Sequence, residues 1–289
     1  MAGETVAVLG AGGTMGLPIA RNIARAGIEV RAWNRTREKA ESLKEDAATV
    51  FGSPGEAADG ATVLLTMLAD ADAVIASVQD ALPAVSEGGA WLQMSTIGEA
   101  GTERCMELAS QHALTFLDSP VLGTKQPAEQ GTLVILASGP EAARGRVQPI
   151  FDAIGQKTMW AGEAGTGSRL KLVTNSWVLT VVEGCAETVA LAEGLGLDPA
   201  LLFEALEGGT LDLPYLRMKG KAILERNFEP MFSLTLAAKD ARLVKESAER
   251  HGLDLPLLAT IRRRMAEAVE EHGDKDMIAT YLTSAPSVP

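Results

Sequence analysis

Short runs of apolar and β-branched residues alternate with amphipathic segments up to about residue 160 of the chain. The runs lack alternating polar positions, which predicts strands buried on both faces and therefore a mostly parallel sheet. Amphipathic segments such as 17–26 and 99–112 predict helices between the strands, and this βαβ order is typical of a doubly wound α/β fold. The predicted strands are residues 5–9, 29–33, 62–67, 90–94, 115–117, 133–137 and 157–160.

The strand-like runs stop near Gly165, and long helical patterns replace them. Glycine and proline residues punctuate these patterns, which predicts separate helices joined by short connections. Residues 168–195 are long enough to form one helix that runs between the two regions. We therefore predict a doubly wound sheet domain over residues 1–163 and an all-α domain over residues 164–289, entered by a long interdomain helix.

Charge and cysteine content exclude several classes of function. The chain has 289 residues, with 26 Lys and Arg against 38 Asp and Glu, and a formal charge of −12. Such an acidic surface repels phosphate backbones, so nucleic acid is not an expected partner. The two cysteines, Cys105 and Cys185, form no zinc-binding pattern, and we predict no metal. No run approaches the ~20 apolar residues of a membrane span, and the first residues lack a signal-peptide pattern, so a cytoplasmic protein without a membrane partner is expected.

A glycine-rich turn follows the first predicted strand, and a helix is predicted to start near Thr14. The free N–H groups and the positive dipole end of such a helix bind the pyrophosphate of a dinucleotide. The spacing departs from GxGxxG, since Gly16 lies four positions after Gly12 rather than three. The position at a first strand–helix junction still favours a Rossmann-like dinucleotide site over a glycine-rich turn of another α/β protein. The candidate residues of this turn are Gly10, Gly12, Gly13, Thr14 and Met15.

The end of the second predicted strand selects the cofactor. An NAD site presents Asp or Glu to the ribose 2′-hydroxyl about 20 residues after the glycines. Residues 32–37 read AWNRTR and contain no carboxylate that would repel a 2′-phosphate. Arg35 offers a planar fork for phosphate, and Asn34, Thr36 and Arg37 add donors, so NADP(H) is the predicted cofactor. The alternative is that Arg35 and Arg37 only begin a solvated helix.

The glycine-rich turn opens a series of motifs that continues in order along nearly the whole chain. Residues 14–22, TMGLPIARN, lead into Ala26-Gly27. Further motifs are Met67-Leu68, Met94-Ser95-Thr96, Asp118-Ser119-Pro120-Val121, Gly131-Thr132-Leu133, Lys171 with Asn175, and Lys239-Asp240. Together they resemble the β-hydroxyacid dehydrogenase family, which includes 3-hydroxyisobutyrate dehydrogenases, tartronate semialdehyde reductases and glyoxylate/succinic semialdehyde reductases. Residues 123–129, GTKQPAE, are most similar to the glyoxylate/succinic semialdehyde reductase branch.

Lys171 lies in an otherwise apolar part of the predicted interdomain helix. Partial burial lowers the pKa of a lysine toward the range of a proton donor, and Asn175 projects from the same face four residues later. The alternative is a lysine whose stem lies on apolar surface and whose charge reaches water. The resemblance favours catalysis, because the family keeps its catalytic lysine at this position. It implies that Lys171 protonates the carbonyl oxygen and that Asn175 orients the lysine or the substrate.

The resemblance also implies the rest of the site. Leu122 departs from the family pattern, which has a serine hydroxyl there for the substrate carboxylate, and this leaves Gly123 and Thr124 as the donors. Phe232 is expected to pack over the substrate, Lys239 to reach the nicotinamide, and Asp240 to steady Lys171 or Lys239. The implied cofactor contacts are Met67, Leu68, Ser95, Thr96 and Lys239, and the implied substrate contacts are Ser119, Leu122, Gly123, Thr124, Phe232 and Asp240.

The sequence thus predicts an NADPH-dependent oxidoreductase that reduces a small aldehyde or keto group, of the glyoxylate/succinic semialdehyde or 3-hydroxyacid type, in a cleft between the domains. Leu122 keeps open an NADPH-dependent imine reductase or a reductase of a carbonyl without a carboxylate, although imine reductases generally lack a lysine at position 171. A non-catalytic cofactor-binding module is the third alternative. Apolar helical segments at residues 177–182 and 223–224, together with the resemblance, predict a homodimer.

Overall fold

The first region of the chain forms a six-stranded sheet in which every strand pairing is parallel. The structure is a computed structural model that describes residues 3–285, so residues 286–289 of the predicted second domain lie outside the described residues. The strand order is β3-β2-β1-β4-β5-β6. The chain adds strands on one side of β1 up to β3 and then continues on the other side from β4, while all strands stay parallel. The strands are β1 (Thr5–Leu9), β2 (Glu29–Trp33), β3 (Thr49–Val50), β4 (Val63–Thr66), β5 (Ala90–Gln93) and β6 (Thr115–Asp118).

Helices cover both faces of this sheet, as the apolar strands require. Alternate residues of β1 enter different cores, with Val6 and Val8 packing against α1, α5 and α6, and Ala7 and Leu9 against α2, α3 and α4. This confirms the doubly wound, Rossmann-like fold. The helices are α1 (Gly16–Arg25), α2 (Pro54–Ala58), α3 (Ala71–Ala81), α4 (Gly98–Gln111), α5 (Lys125–Glu129) and α6 (Arg144–Ile154). Three short 3₁₀ segments, Arg37–Asp46, Leu82–Ala84 and Glu141–Ala143, lie between them.

The last predicted strands of this region form a separate three-stranded sheet instead of extending the first one. It contains β7 (Val121–Leu122), β8 (Leu133–Ala137) and β9 (Gly155–Trp160). β7 follows β6 almost at once and pairs with β8 antiparallel. Residues 123–132, which join β7 to β8, are fewer than the dozen or so that a parallel crossover needs. β9 then returns through α6 to pair with β8 in parallel.

The chain divides into two compact units, the first ending at Lys171 and the second beginning at Leu172. Strands stop at β9, and the second unit is helical, as predicted. The interdomain helix predicted at residues 168–195 is observed as α7. None of the described helices is long and apolar enough to cross a bilayer. The helices are α7 (Thr166–Gly194), α8 (Ala200–Leu206), α9 (Pro214–Leu224), α10 (Leu234–Arg250) and α11 (Pro256–His272), followed by a 3₁₀ segment, Met277–Thr283.

A buried ion pair lies inside the second unit. Lys219 on α9 is fully buried, and its Nζ lies 2.6 Å from Oδ1 of Asp276. The Asp276 carboxylate also accepts hydrogen bonds from the backbone N–H groups of Met231, Phe232 and Ile278 at 3.0–3.2 Å. Burial lowers the pKa of Lys219, although the charge of Asp276 opposes this shift. The pair therefore joins α9 to the loop before α10 and to the last 3₁₀ segment.

Asp276→Ala should lower the free energy of unfolding by about 3–5 kcal/mol, because it leaves the Lys219 ammonium buried without its partner. The deficit should shrink as the pH rises from neutral toward the ordinary lysine pKa of about 10.4, since the unfolded state then binds more protons than the folded state. Urea denaturation across this range measures both effects. Lys219→Met/Asp276→Leu is the control and should be nearly as stable as the wild type. A D276A variant as stable as the wild type would contradict the assignment.

Candidate active site

The glycine-rich turn after β1 brings backbone against backbone. Gly10 has φ +91°, and a Cβ built on it would lie 2.1 Å from the carbonyl oxygen of Met67. A Cβ on Gly16 would lie 2.0 Å from the carbonyl oxygen of Gly10. No side chain fits at either position, so the turn after β1, the loop after β4 and the start of α1 are in direct contact.

The N-terminus of α1 suits an anion. The helix begins at Gly16, slightly later than predicted, and among the described residues no side chain caps it and no acidic residue lies in its first turn. Gly13 and Thr14 are exposed in the preceding turn. Leu17 N–H donates to the carbonyl oxygen of Gly13 at 3.0 Å, so the positive dipole end of the helix and the exposed turn before it are what the structure offers to a phosphate.

Two cations lie beside the glycine-rich turn at the end of β2. A Cβ on Gly12 would lie 2.7 Å from Cβ of Lys39 and 2.8 Å from Cγ of Asn34, which places both residues against the turn. Asn34 Nδ2 donates to the carbonyl oxygen of Thr36 at 2.7 Å and shapes this segment. Arg35 and Lys39 are exposed, and within residues 3–285 neither side chain has a hydrogen bond or ion pair. Both are therefore available to a phosphate.

Arg37 was predicted as an additional donor to the phosphate. In the structure its guanidinium has other partners. Its guanidinium donates to Glu41 at 2.9 Å and to the carbonyl oxygen of Val50 at 3.1 Å. Lys39 was missed by sequence reasoning, because only the folded backbone shows that this residue returns to the glycine-rich turn. The charge of Lys39, two residues after Arg37, was the available signal.

A buried polar network supports the loops after β4 and β5. Gln93, at the end of β5, accepts a hydrogen bond from the Ser95 N–H and donates to the Ser95 carbonyl oxygen, both at 2.8 Å. The Ser95 hydroxyl accepts from the backbone N–H of Leu68 at 2.8 Å. These bonds hold the predicted cofactor residues Met67, Leu68, Ser95 and Thr96 at the carboxyl ends of their strands. The Ser95 side chain thus supports the neighbouring loop.

The loop after β6 carries the residues predicted to bind substrate. Ser119 is fully buried, and among the described atoms its hydroxyl has no hydrogen-bond partner. Leu122 is half-buried in β7. Gly123 has φ +125°, and a Cβ there would lie 2.7 Å from a methyl carbon of Leu133, so this position requires glycine. Gly123 and Thr124 lead directly into α5, with Gly123 exposed and Thr124 half-buried.

Lys171 is half-buried on α7, and Asn175 follows one turn later, nearly fully buried. Asn175 Nδ2 donates to Oδ2 of Asp240 at 2.6 Å. Lys239 Nζ lies 3.0 Å from the other oxygen of the same carboxylate. The structure therefore brings Asn175, Lys239 and Asp240 together in the second unit, where the Asp240 carboxylate contacts both the Lys239 ammonium and the Asn175 amide.

Phe232 lies in the loop before α10, and its backbone is held on both sides. Its N–H donates to Oδ2 of Asp276 at 3.2 Å, and its carbonyl oxygen accepts from Met277 N–H at 2.8 Å. Its half-buried side chain packs at the edge of the helical core. The buried Lys219–Asp276 pair therefore determines where this aromatic ring lies.

Other titratable groups have structural surroundings. Burial raises the pKa of both Cys105 and Cys185 to about 12, which makes neither a nucleophile at neutral pH. Glu183 is bound by Arg264 and accepts from the Thr280 hydroxyl at 2.9 Å. Over the described residues, no group of three His, Cys, Asp or Glu side chains could hold a metal ion.

These features fit a dinucleotide. Helices leave a crevice at the carboxyl ends of the strands where the strand order reverses, here between β1 and β4. The glycine-rich turn, the open start of α1 and the two free cations all lie at this edge. The fold and site define a dinucleotide-binding α/β protein with an appended helical domain.

Comparison with known proteins gives the family. Residues 5–162 match the model of the NAD-binding domain of 6-phosphogluconate dehydrogenase, and residues 165–283 match that of the NAD-binding domain of NADP-dependent 3-hydroxyisobutyrate dehydrogenase. The chain belongs to the β-hydroxyacid dehydrogenase family. It is an NAD(P)-dependent oxidoreductase that acts on CH–OH and C=O groups, with a nicotinamide cofactor and a small-molecule substrate.

Individual relatives are similar over most of their length. Glyoxylate/succinic semialdehyde reductase 1 of Arabidopsis thaliana is 30% identical over 259 residues, covering 89% of this chain and 90% of that protein. The probable 3-hydroxyisobutyrate dehydrogenase of Mycobacterium bovis is 30% identical, covering 96% and 97%. The solved structure of Mycobacterium tuberculosis 3-hydroxyisobutyrate dehydrogenase with L-serine superposes with a TM-score of 0.88 at 28% identity, covering 97% and 99%.

Proposed function

We propose that the protein is an NADPH-dependent reductase of a small aldehyde or keto compound, with Lys171 as the proton donor. One observation carries the proposal. Lys171 is half-buried on α7, one turn before an asparagine whose amide is fixed by Asp240. Since Asn175 Nδ2 donates to the carboxylate, its Oδ1 is the atom left to accept from an ammonium or a substrate hydroxyl.

Reduction of a carbonyl group needs a hydride at carbon and a proton at oxygen. A dihydronicotinamide, when bound at the glycine-rich turn, would be the source of the hydride for the carbonyl carbon. As the C=O π electrons move onto oxygen, Lys171 Nζ gives that oxygen a proton and becomes a neutral amine. The lysine regains its proton from water, and Asn175 Oδ1 orients it between turnovers.

Two readings of the substrate follow from the loop after β6. The names of the similar reductases support a carboxylated aldehyde such as glyoxylate or succinic semialdehyde. Gly123 and Thr124 would then bind the carboxylate through N–H groups and the threonine hydroxyl. Leu122 favours the second candidate, a neutral carbonyl or imine, because it puts a methyl-bearing side chain where the family pattern has a hydroxyl.

NADP(H) is favoured over NAD(H) by the end of β2. No carboxylate is present over residues 32–37, so nothing there would repel a 2′-phosphate or bind a 2′-hydroxyl in its place. Arg35 and Lys39 are exposed beside the glycine-rich turn without partners among residues 3–285. A planar guanidinium and an ammonium together would hold the phosphate.

A homodimer is favoured by an apolar stripe on α7. Its positions are spaced by three and four residues, the heptad spacing of a helix that packs on another helix. In this stripe, Trp177 is 62% exposed and Leu195 is 65% exposed. Val182 and Ile223 belong to the segments from which the sequence predicted the dimer, but both side chains lie in the core. A second copy would cover the stripe symmetrically. The stripe consists of Val173, Trp177, Val181, Gly184, Thr188 and Leu191 on α7 and of Leu195 directly after its end; Thr188 is its polar member.

Lys171→Ala should lower kcat for carbonyl reduction by about 10²–10⁴-fold, because it removes the proton donor, and should leave NADPH binding unchanged. The assay follows NADPH oxidation with glyoxylate, succinic semialdehyde, a neutral aldehyde and a cyclic imine side by side. Lys221→Ala, on an exposed face of α9, is the control. An unchanged kcat in K171A would refute the proton-donor role, and preference for the neutral aldehyde or the imine would favour the second substrate class.

Arg35→Ala and Lys39→Ala should each raise the Kd for NADPH by about 10- to 100-fold and leave the Kd for NADH within about twofold. A charge-assisted hydrogen bond contributes about 1.5–3 kcal/mol, and about 1.4 kcal/mol is tenfold in affinity. Nucleotide fluorescence titration measures both constants. Lys44→Ala is the matched control, since Lys44 is an exposed lysine of the same segment that is paired with Glu41. Equal losses for NADH and NADPH would contradict selection of the 2′-phosphate.

Trp177→Glu should dissociate the dimer, because a charge would be buried in place of the large aromatic side chain of the stripe. Sedimentation equilibrium at micromolar concentration distinguishes the dimer from the 30.3 kDa monomer. Leu253→Glu changes an equally exposed leucine away from α7 and should leave the dimer intact. A monomeric wild-type protein would rule out the homodimer.

A further inference from the structure

A buried polar cluster connects the six-stranded and the three-stranded sheet to the start of α7. It brings together the ends of β6 and β8 and the first turns of α4 and α7. None of its side chains is more than 4% exposed, so the whole cluster is shielded from water. Its members are Thr102, Asp118, Ser138 and Ser168.

Asp118 binds Ser168 with both carboxylate oxygens. The backbone N–H of Ser168 donates to Oδ2 and its hydroxyl donates to Oδ1, each at 2.7 Å. The preceding N–H, that of Gly167, donates to the Ser138 hydroxyl at 2.9 Å, and this hydroxyl donates to the Asp118 carbonyl oxygen at 3.1 Å. Two successive N–H groups at the start of α7 are therefore held by side chains of the sheet region. Burial raises the pKa of Asp118, whereas the bonds from Ser168 favour its carboxylate.

The backbone of α7 is also fixed sterically at this point. A Cβ on Gly167 would lie 2.3 Å from the carbonyl oxygen of Leu136 and 2.8 Å from that of Asp118. The helix therefore starts in direct contact with the backbone of β6 and β8. A shift or rotation of its first turn would break the two bonds to Asp118 or produce a clash.

Lys171 lies three residues after Ser168, on the same side of the helix and about 4.5 Å further along the axis. We propose that Asp118 is a positioning residue for catalysis, which sets the place and rotation of the first turns of α7 and through them the position of the Lys171 ammonium. The inference rests on the proposed role of Lys171. Asp118 would act only through the helix, and a misplacement of about 1 Å costs about 10²-fold in rate.

Asp118→Asn tests this role with little change of volume. The oxygen of the asparagine amide can accept one of the two Ser168 hydrogen bonds. Its NH₂ group is a donor and faces the second Ser168 donor, so that hydrogen bond is lost and the first turn of α7 is held less firmly. The kcat for the best substrate should fall by about 10- to 100-fold. The Kd for NADPH should stay within about twofold, because the glycine-rich turn is not part of the cluster.

Two further variants separate positioning from general stability. Thr102→Val removes a hydroxyl that contacts only Ser168 Oγ and the Gly98 carbonyl oxygen, so kcat should stay within about twofold of wild type. Ser168→Ala removes the hydroxyl bond to Asp118 and keeps the N–H bond, so its kcat should lie between those of T102V and D118N. If D118N fails to fold, a kcat of S168A below that of T102V still tests the proposal. Equal kcat values for S168A and T102V would overturn it.

A double-mutant cycle with Lys171→Ala gives the deciding result, measured by single turnover at high enzyme concentration. If Asp118 acts through the lysine, D118N/K171A should be no slower than K171A. If D118N slows K171A by the same factor as it slows the wild type, or leaves the wild-type kcat unchanged, the positioning role is overturned while the proton-donor role stands. If K171A itself turns over at the wild-type rate, the proposed function fails, and the positioning role fails with it.

Discussion

The contact between the Gly10 backbone and the Met67 carbonyl oxygen is the constraint on which the cofactor site depends. A Cβ on Gly10 would lie 2.1 Å from that oxygen, so the turn after β1 and the loop after β4 meet without an intervening side chain. The strand order reverses at this point, and the connections from β1 and β4 lead to opposite faces of the sheet. Because the two backbones touch, the phosphate-binding turn and the loops predicted to line the nicotinamide belong to one rigid edge.

Buried polar side chains at element ends fix the loops around this edge. Gln93 holds Ser95 and thereby the Leu68 N–H, Asp118 holds the start of α7, and Asp276 holds the loop that contains Phe232. Each makes several hydrogen bonds, which offsets the cost of burying a polar group. Apolar packing alone would form the same layers but would leave these loops free to shift. These three buried polar groups therefore fix the segments that carry the predicted site residues, and the Lys219–Asp276 pair also stabilises the helical unit.

Apolar patterning was sufficient to predict the layers. The runs at 5–9, 29–33 and 133–137 coincide with β1, β2 and β8, and the helix predicted at 168–195 is observed at Thr166–Gly194. The two-residue strands β3 and β7 are too short to carry a pattern, and the separate second sheet depends on the pairing of β7 with β8. Lys39 could not be found from spacing, because its place beside Gly12 depends on how the 3₁₀ segment folds back. The hydrogen bonds between Asp118 and Ser168 join residues that are 50 positions apart, so no local sequence pattern predicts them.

The net charge of −12 raises the question of how this chain attracts an anionic dinucleotide. Screening limits the influence of distant carboxylates to about 8–10 Å, so the local arrangement of cations decides. Arg21 and Arg25 both pair with Asp46, and Arg37 and Lys44 both pair with Glu41. Exposed pairs of this kind contribute little to stability. Their effect here is to pair these four cations with carboxylates, so that among the described residues 34–46 the exposed cations without a side-chain partner are Arg35 and Lys39. An acidic protein can thus attract an anionic dinucleotide through a few exposed cations near the end of β2, without an overall basic surface.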